Sequence, residues 1–378
     1  MPATAHFHLM AKPSSFQCNI RCEYCFYLQK EAVVAPDSRF MSLETLENYV
    51  RNYIESHAGN QVDFAWQGGE PTLLGLEFFQ QAVRFQQKFA KGKIITNAFQ
   101  TNGIALNRQW AAFFKQHRFL VGISIDGLAA VHNRYRISIN GQPTFERVKK
   151  AVDLLKEFGV EFNTLTVVND QNWHKGRETY LALKALGSTF MQFIPIVEKP
   201  ENVTACRGEV HNFSVPPQGY GQFLADVFDE WQKADVGKIF VLEFDNLLGQ
   251  WLGYPSGSCV HRATCGTSLI TEANGDVYAC DHFVYPEFLV GNLNQQPLAE
   301  IVHSKAQTDF GFAKKSQLTT ACKACELRPL CHGGCPKHRI VERPNEPHKH
   351  NYLCPSYQLF FRHTAAKMQQ MRAEIRGN

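Results

Sequence analysis

Apolar residues recur along the first half of the chain in two alternating periods, one of two residues and one of about three and a half, and this predicts strands that alternate with helices. HFHLMAK (6–12) reads as a first strand, and VDFAW (62–66), KIITNAFQT (93–101), FLVGISI (119–125), VEFNTLTVV (160–168) and STFMQFIPIV (188–197) read as five more. Between them lie a helix opened by Ser42 with Glu44 to Glu47 in its first turns, LEFFQQAVRFQQKF (76–89), a helix from about Arg108, TFERVKKAVDLLKEF (144–158) and one near 174–186. Such a series implies parallel βαβ units. Six units are too few to close an eight-fold barrel, so an open, partial (β/α)6 TIM-like barrel fits, with its site on the C-terminal face where the loop after the first strand would lie. A flat doubly wound sheet is the alternative and would place the site where the strand order reverses.

The pattern changes after Pro200. The polar stretch 201–221 reads as a loop or linker, and FLADVFDEWQKA (223–234) as a helix. From Cys259 to Cys354 the chain is loop-rich and holds eight cysteines, which predicts that metal rather than an apolar core organises it. SYQLFFRHTAAKMQQMRAEI reads as a closing amphipathic helix. The division predicted is 1–200 for the barrel, 201–258 for a linker and helical segment, and 259–378 for the cysteine-rich domain with its final helix.

Composition narrows the class. With 44% hydrophobic residues among 378, the chain has material for a large core. A net charge of +4 without blocks of like charge gives no reason to expect a nucleic-acid partner, and Lys337, Arg339, Arg343 and Lys349 are expected on a solvated face. No stretch approaches the ~18 consecutive apolar residues of a membrane span, and the first fifteen residues lack a signal-peptide core, so no membrane association and a cytoplasmic location are expected. Twelve cysteines in a reducing compartment point to metal ligation for eleven; Cys206 stands apart and is expected to be a free thiol.

Cys18, Cys22 and Cys25, in CNIRCEYC, supply three thiolates and no fourth. Structural zinc wants four ligands in a closed site, whereas a cubane cluster held by three cysteines keeps one iron open for a substrate or cofactor. With Tyr24 inside the run and Phe26 and Tyr27 after it, the motif resembles the signature of radical S-adenosylmethionine (SAM) enzymes. Gln67-Gly68-Gly69-Glu70-Pro71 ends the second strand; taken alone it is an ordinary strand-to-helix turn, but beside the three-cysteine loop it resembles the GGEP motif that holds the amino group of SAM. The same resemblance gives cofactor contacts to Tyr24, Gly68, Gly69, Glu70, Ser124, Arg136 and, through its backbone, Val197. Ser124 and Asp126 in SIDG otherwise read as a polar strand end and turn. Gln100, Thr101 and Asn102 in QTNG are further strand-end polar residues with no separable role.

The remaining cysteines, Cys259, Cys265, Cys280, Cys322, Cys325, Cys331, Cys335 and Cys354, number two sets of four. Two zinc ribbons would be the structural reading, but only one C-x2-C is present. The spacing resembles the SPASM extension of peptide-modifying radical enzymes. That resemblance implies two auxiliary [4Fe-4S] clusters, one on Cys259, Cys265, Cys280 and Cys335, the other on Cys322, Cys325, Cys331 and Cys354. With the first cluster this makes three.

More narrowly, FQCNIRCEYCFY, WQGGEPTLLGLEFF, QFIPIVE, CGTSL and NGDVYACDHFV resemble the anaerobic sulfatase-maturating enzymes from about residue 8 to 360. The activity implied is oxidation of a cysteine or serine in a C/S-x-P-x-R motif of an unfolded or nascent sulfatase polypeptide to Cα-formylglycine. In it a 5′-deoxyadenosyl radical removes a Cβ hydrogen, Asp281 acts as the base, and an auxiliary cluster accepts the remaining electron. An electron donor such as flavodoxin or ferredoxin is implied. Asp281 otherwise reads as a solvated turn residue, and Tyr27 as either a substrate contact or an aromatic core residue. Competing functions are another SPASM maturase that forms thioethers or cross-links, a non-catalytic iron-sulfur electron carrier, and a zinc-stabilised binding module.

Overall fold

The computed structural model describes residues 6–32, 39–200, 206–207 and 210–377. Its principal strands are β1 (His8–Lys12), β2 (Gln61–Trp66), β3 (Ile94–Thr101), β4 (Phe119–Ser124), β5 (Phe162–Val168), β6 (Phe190–Pro195), β7 (Phe240–Val241), β8 (Ser268–Glu272), β9 (Asp276–Tyr278) and β10 (Leu289–Asn292). The long helices are α1 (Leu43–Ser56), α2 (Gly75–Phe89), α3 (Arg108–Gln116), α4 (Phe145–Glu157), α5 (Gly176–Ala185), α6 (Gly219–Ala234), α7 (Leu242–Leu252), α8 (Lys305–Ser316) and α9 (Cys354–Gly377). All six strands predicted from periodicity are present, and Ser42 caps α1 by accepting a hydrogen bond from the Thr45 N–H at 3.1 Å. The class is parallel-sheet α/β with a cysteine-rich extension. The side chain of Cys206 lies outside the described residues.

Two compact units divide the chain. The first comprises Met1–Ser124, Arg136–Phe162 and Gly266–Phe312. Its sheet runs β4-β3-β2-β1-β8-β9-β10. The first four strands and β8 are parallel, with β1 and β8 paired from His8 opposite Ser268 to Lys12 opposite Glu272; β9 and β10 close the edge antiparallel. Alternation in β2 turns Val62, Phe64 and Trp66 inward, where Tyr49 and Tyr53 of α1 meet them edge-on at 5.1–5.6 Å between ring centroids. Phe79 of α2 and Trp110 and Phe114 of α3 continue this layer over Phe99. The β8–β10 meander falls inside the region expected to lack an apolar core. It buries Leu269, Ile270 and Val277, so that part is built as ordinary sheet.

The second unit comprises Ile125–Tyr135, Asn163–Cys265 and Ala313–Asn378. It contains the parallel strands β5, β6 and β7 and the helices α5, α6, α7 and α9. Gly221 of α6 passes so close to α9 that a Cβ would stand 2.3 Å from the Ser356 carbonyl oxygen, and Phe244 stacks on Phe360 at 5.7 Å. Two of the basic residues expected on a solvated face are held inside this unit. Arg339 donates to the carbonyls of Lys314, Gln317, Gly333 and His332 at 2.8–3.4 Å, and Lys337 pairs with Glu198. For Arg339 the cause is simple: the C-terminal ends of α8 and of the helix before His332 leave carbonyls without intrahelical partners, which a guanidinium fork can collect.

Candidate active site

The loop after β1 carries Cys18, Cys22 and Cys25, and the turn after β2 is seated on it. Gly69 N–H donates to the Ser15 carbonyl at 2.7 Å and Glu70 N–H to the Gln17 carbonyl at 2.8 Å. A Cβ on Gly69 would lie 2.0 Å from the Gln17 oxygen, and Gly68 has φ +130°, so both positions require glycine. The Glu70 carboxylate points inward and is fully buried. It accepts from Thr72 N–H at 3.1 Å, the Thr72 and Thr101 hydroxyls at 2.7 Å, and Asn102 N–H at 2.8 Å. Three of those four bonds fall on Oε1 and one on Oε2. Glu70 therefore ties the GGEP turn to the QTNG strand end, and burial pushes its pKa up despite these bonds.

Cys18 receives a hydrogen bond from the Asn102 amide at 3.6 Å, and burial, only partly offset by the Ile20 backbone N–H and that amide, pushes its thiol up to about 12. Burial also raises Cys25. A short ribbon pairs Cys22 with Arg136, placing the Arg136 guanidinium 3.9 Å from the Cys22 sulfur and 5.5 Å from the centre of the Tyr24 ring. Three thiols on one loop, with Arg136 and Lys12 as nearby cations, fit a group that brings further positive charge, as iron does. Ser124 ends β4 in this same unit, 8% exposed. Val197 and Asp126 belong to the second unit; Val197 is buried just past β6, and the Asp126 carboxylate accepts from Val167 N–H at 3.0 Å.

Beside the cysteine loop is a charged cluster. Lys12, the last residue of β1, is 1% exposed, and its ammonium contacts Asp281 Oδ1 at 2.6 Å. It also donates to Gln67 Oε1 and lies 4.6 Å from the centre of the Tyr27 ring. Gln67 continues the chain to Gln100 at 2.5 Å. Asp281 keeps 22% of its side chain exposed, so it is neither a free turn residue nor a sealed core group. Tyr27 is 3% exposed and packs with Ile270, Tyr278 and Val284 while its hydroxyl donates to Glu272. Of the two readings of Tyr27, the aromatic core role is the one the packing displays. Neither Lys12 nor Glu272 belongs to a motif that marks it in the sequence. Each ends a strand at its C-terminal edge, and that was the signal available.

Seven of the eight C-terminal cysteines gather in two places. Cys322, Cys325, Cys331 and Cys354 line one cavity with Arg343, His350 and Tyr357. Burial pushes Cys331 up to about 12, and Cys354, Cys322 and Cys325 add to it. Burial pushes Cys335 up to about 11, and Cys259 and Cys265 in the same unit add to it, with Lys314 donating to the Cys259 carbonyl at 2.6 Å. Cys280 belongs to the first unit. Among the described residues no three His, Cys, Asp or Glu side chains converge on a point for a single metal ion. A cubane makes no such demand, because each thiolate binds its own iron.

Two family models match the chain: the radical SAM superfamily over residues 13–183 and the SPASM iron-sulfur cluster-binding domain over residues 264–326. The fold and the site thus define a radical SAM enzyme with a SPASM extension, whose cofactors are SAM and [4Fe-4S] clusters. A serine-type anaerobic sulfatase-maturating enzyme of Bacteroides thetaiotaomicron is 40% identical, with 99% of this chain and 93% of that protein covered. A cysteine-type enzyme of Clostridium perfringens is 33% identical, with 97% and 99% covered. A structure described as native anSMEcpe with bound AdoMet and Cp18Cys peptide superposes with a TM-score of 0.88 at 32% identity, over 97% of this chain and 99% of that one. SuiB of Streptococcus suis bound to SAM, at 15% identity and a TM-score of 0.63, shares the fold. The chain belongs to the anaerobic sulfatase-maturating enzymes.

Proposed function

We propose that this enzyme oxidises a serine or cysteine in a C/S-x-P-x-R motif of an unfolded sulfatase polypeptide to Cα-formylglycine. Cys18, Cys22 and Cys25 hold the cluster with the open iron. The Gly68-Gly69-Glu70 backbone, Tyr24, Ser124, Arg136 and Val197 hold SAM, and the eight later cysteines hold two auxiliary clusters. When bound, these groups supply hydrogen-atom abstraction at the substrate Cβ and the route for one electron. The chain's own residues do the rest. A serine becomes an aldehyde by losing one hydrogen atom from Cβ, one proton from oxygen and one electron, and Asp281 takes the proton. With cysteine the proton comes from sulfur, and water then displaces the sulfur as hydrogen sulfide to give the same aldehyde. Tyr27 and Glu272 form the wall behind Lys12 and Asp281.

The observation that carries this reading is the position of Asp281: partly exposed, adjacent in sequence to Cys280, and held by a lysine at the end of the strand that leads into the three-cysteine loop. The 40% identical relative is serine-type, while both types match at 33%, so both substrates belong in the test. Peptides carrying C-x-P-x-R and S-x-P-x-R, incubated anaerobically with SAM and a reductant, should each yield the aldehyde by mass spectrometry. Cross-linked or thioether products without aldehyde would support another SPASM maturase instead. Among the described residues no helix is long and apolar enough to cross a membrane. We place the reaction in the cytoplasm, fed by a flavodoxin- or ferredoxin-like donor, with no nucleic-acid or membrane partner.

A further inference from the structure

A lysine is almost never fully buried without a partner, and replacing a buried ion pair by apolar side chains is often neutral or stabilising. Lys12 is nonetheless 1% exposed, at the strand terminus rather than in the aromatic layer beneath, and its ammonium is shared by Asp281, Gln67 and the Tyr27 ring. Each contact comes from a different segment: Gln67 opens the GGEP turn, Tyr27 follows the cysteine loop, and Asp281 follows Cys280. Glu272 pairs with Lys12 across the β1–β8 register and accepts the Tyr27 hydroxyl. Two carboxylates, those of Glu272 and Asp281, therefore stand close around one cation. Without that cation they would repel each other, and the more exposed Asp281 would be free to turn toward solvent.

We propose that Lys12 is a positioning residue for the oxidation. It fixes the Asp281 carboxylate at the place where the substrate proton is taken, while the GGEP backbone keeps its own hydrogen bonds to the Ser15 and Gln17 carbonyls. The inference rests on Asp281 being the base. Its consequence is an uncoupling: loss of Lys12 leaves hydrogen abstraction intact and lowers the capture of the proton that commits the intermediate to product. A misplacement of about 1 Å at a reacting group costs on the order of 10²-fold.

The test uses the holoenzyme of Lys12→Met, Lys12→Gln, Asp281→Asn and the double variant Lys12→Met/Asp281→Asn. The readings are iron content, the Kd of an S-x-P-x-R peptide measured without SAM, and the ratio of 5′-deoxyadenosine to aldehyde. The expectation for Lys12→Met is full iron, a peptide Kd within about threefold of wild type, and a ratio raised roughly 10- to 100-fold. The double variant should be no worse than Asp281→Asn alone. An unchanged ratio in an iron-replete Lys12 variant, or loss of iron in both Lys12→Met and Lys12→Gln, overturns the positioning role. A wild-type ratio in Asp281→Asn overturns instead the assignment of the base on which it rests.

Discussion

The N-terminal cysteine loop and the C-terminal cysteine segments solve the problem of holding thiols in opposite ways. Around Cys18, Cys22 and Cys25 the backbone is already bound: Ser15 and Gln17 carbonyls accept from the GGEP turn, and buried Glu70 gathers the next strand end. Around Cys322, Cys325 and Cys331 the local elements are the helices Thr320–Ala324 and Arg328–Cys331, of five and four residues, which are too short to be stable alone. Lys314 and Arg339 donate to the carbonyls of Cys259, Val260, Lys314 and Gln317, outside both helices. The first site is a scaffold into which a cluster fits. For the second, we infer that a cluster bound by its four thiols completes the shape.

The largest effect that could break this comparison is on chemistry. Replacing Cys18, Cys22 and Cys25 together by alanine should remove four of roughly twelve irons and all SAM cleavage, with the thermal midpoint within about 2 °C of wild type. Iron analysis, 5′-deoxyadenosine assay and calorimetry check it. Retained SAM cleavage would place the open iron elsewhere. The matching replacement of Cys322, Cys325, Cys331 and Cys354 should remove the same amount of iron but lower the midpoint by roughly 5–10 °C and open residues 313–354 to proteolysis. Equal stability losses in the two variants would erase the distinction.

A smaller effect sharpens it within the second unit. Burial pushes Glu243 up to about 8, although Phe193 N–H donates to it at 3.2 Å. An acid whose folded pKa lies above its unfolded value binds more protons when folded, so its contribution favours folding at low pH and is lost as pH rises from about 4.5 toward about 8. Glu243→Gln should flatten that slope, changing stability by at most a few kcal/mol across the range. Denaturant titrations at pH 5 and pH 8, with loaded clusters in both proteins, measure it; parallel curves would show that Glu243 stays charged in the fold.

Legibility in the sequence followed periodicity and spacing. The six strands of the α/β series and the capped α1 could be read because alternation and capping are local signals. The β8–β10 meander was hidden because cysteines flank it and its strands are three to five residues long. Helix α8, KAQTDFGFAKKS, carries too few apolar residues for a stripe to show. In the site, the cysteine motifs and GGEP stood out because their function fixes their spacing. Lys12 did not, since a lysine at the end of HLMAK reads as an exposed strand terminus until Asp281, far along the chain, is brought to within 2.6 Å. The inward turn of Glu70 was equally invisible, because its four donors come from Thr72, Thr101 and Asn102 rather than from its immediate neighbours.

The central claim is that one carboxylate beside the cysteine loop converts hydrogen abstraction into oxidation, and the ratio of 5′-deoxyadenosine to formylglycine peptide tests it most directly. For Asp281→Asn with wild-type iron content, 5′-deoxyadenosine should continue to form while aldehyde falls by the ~10²- to 10⁴-fold expected when general-base help is lost. Both products at wild-type rates from an iron-replete variant would contradict the account.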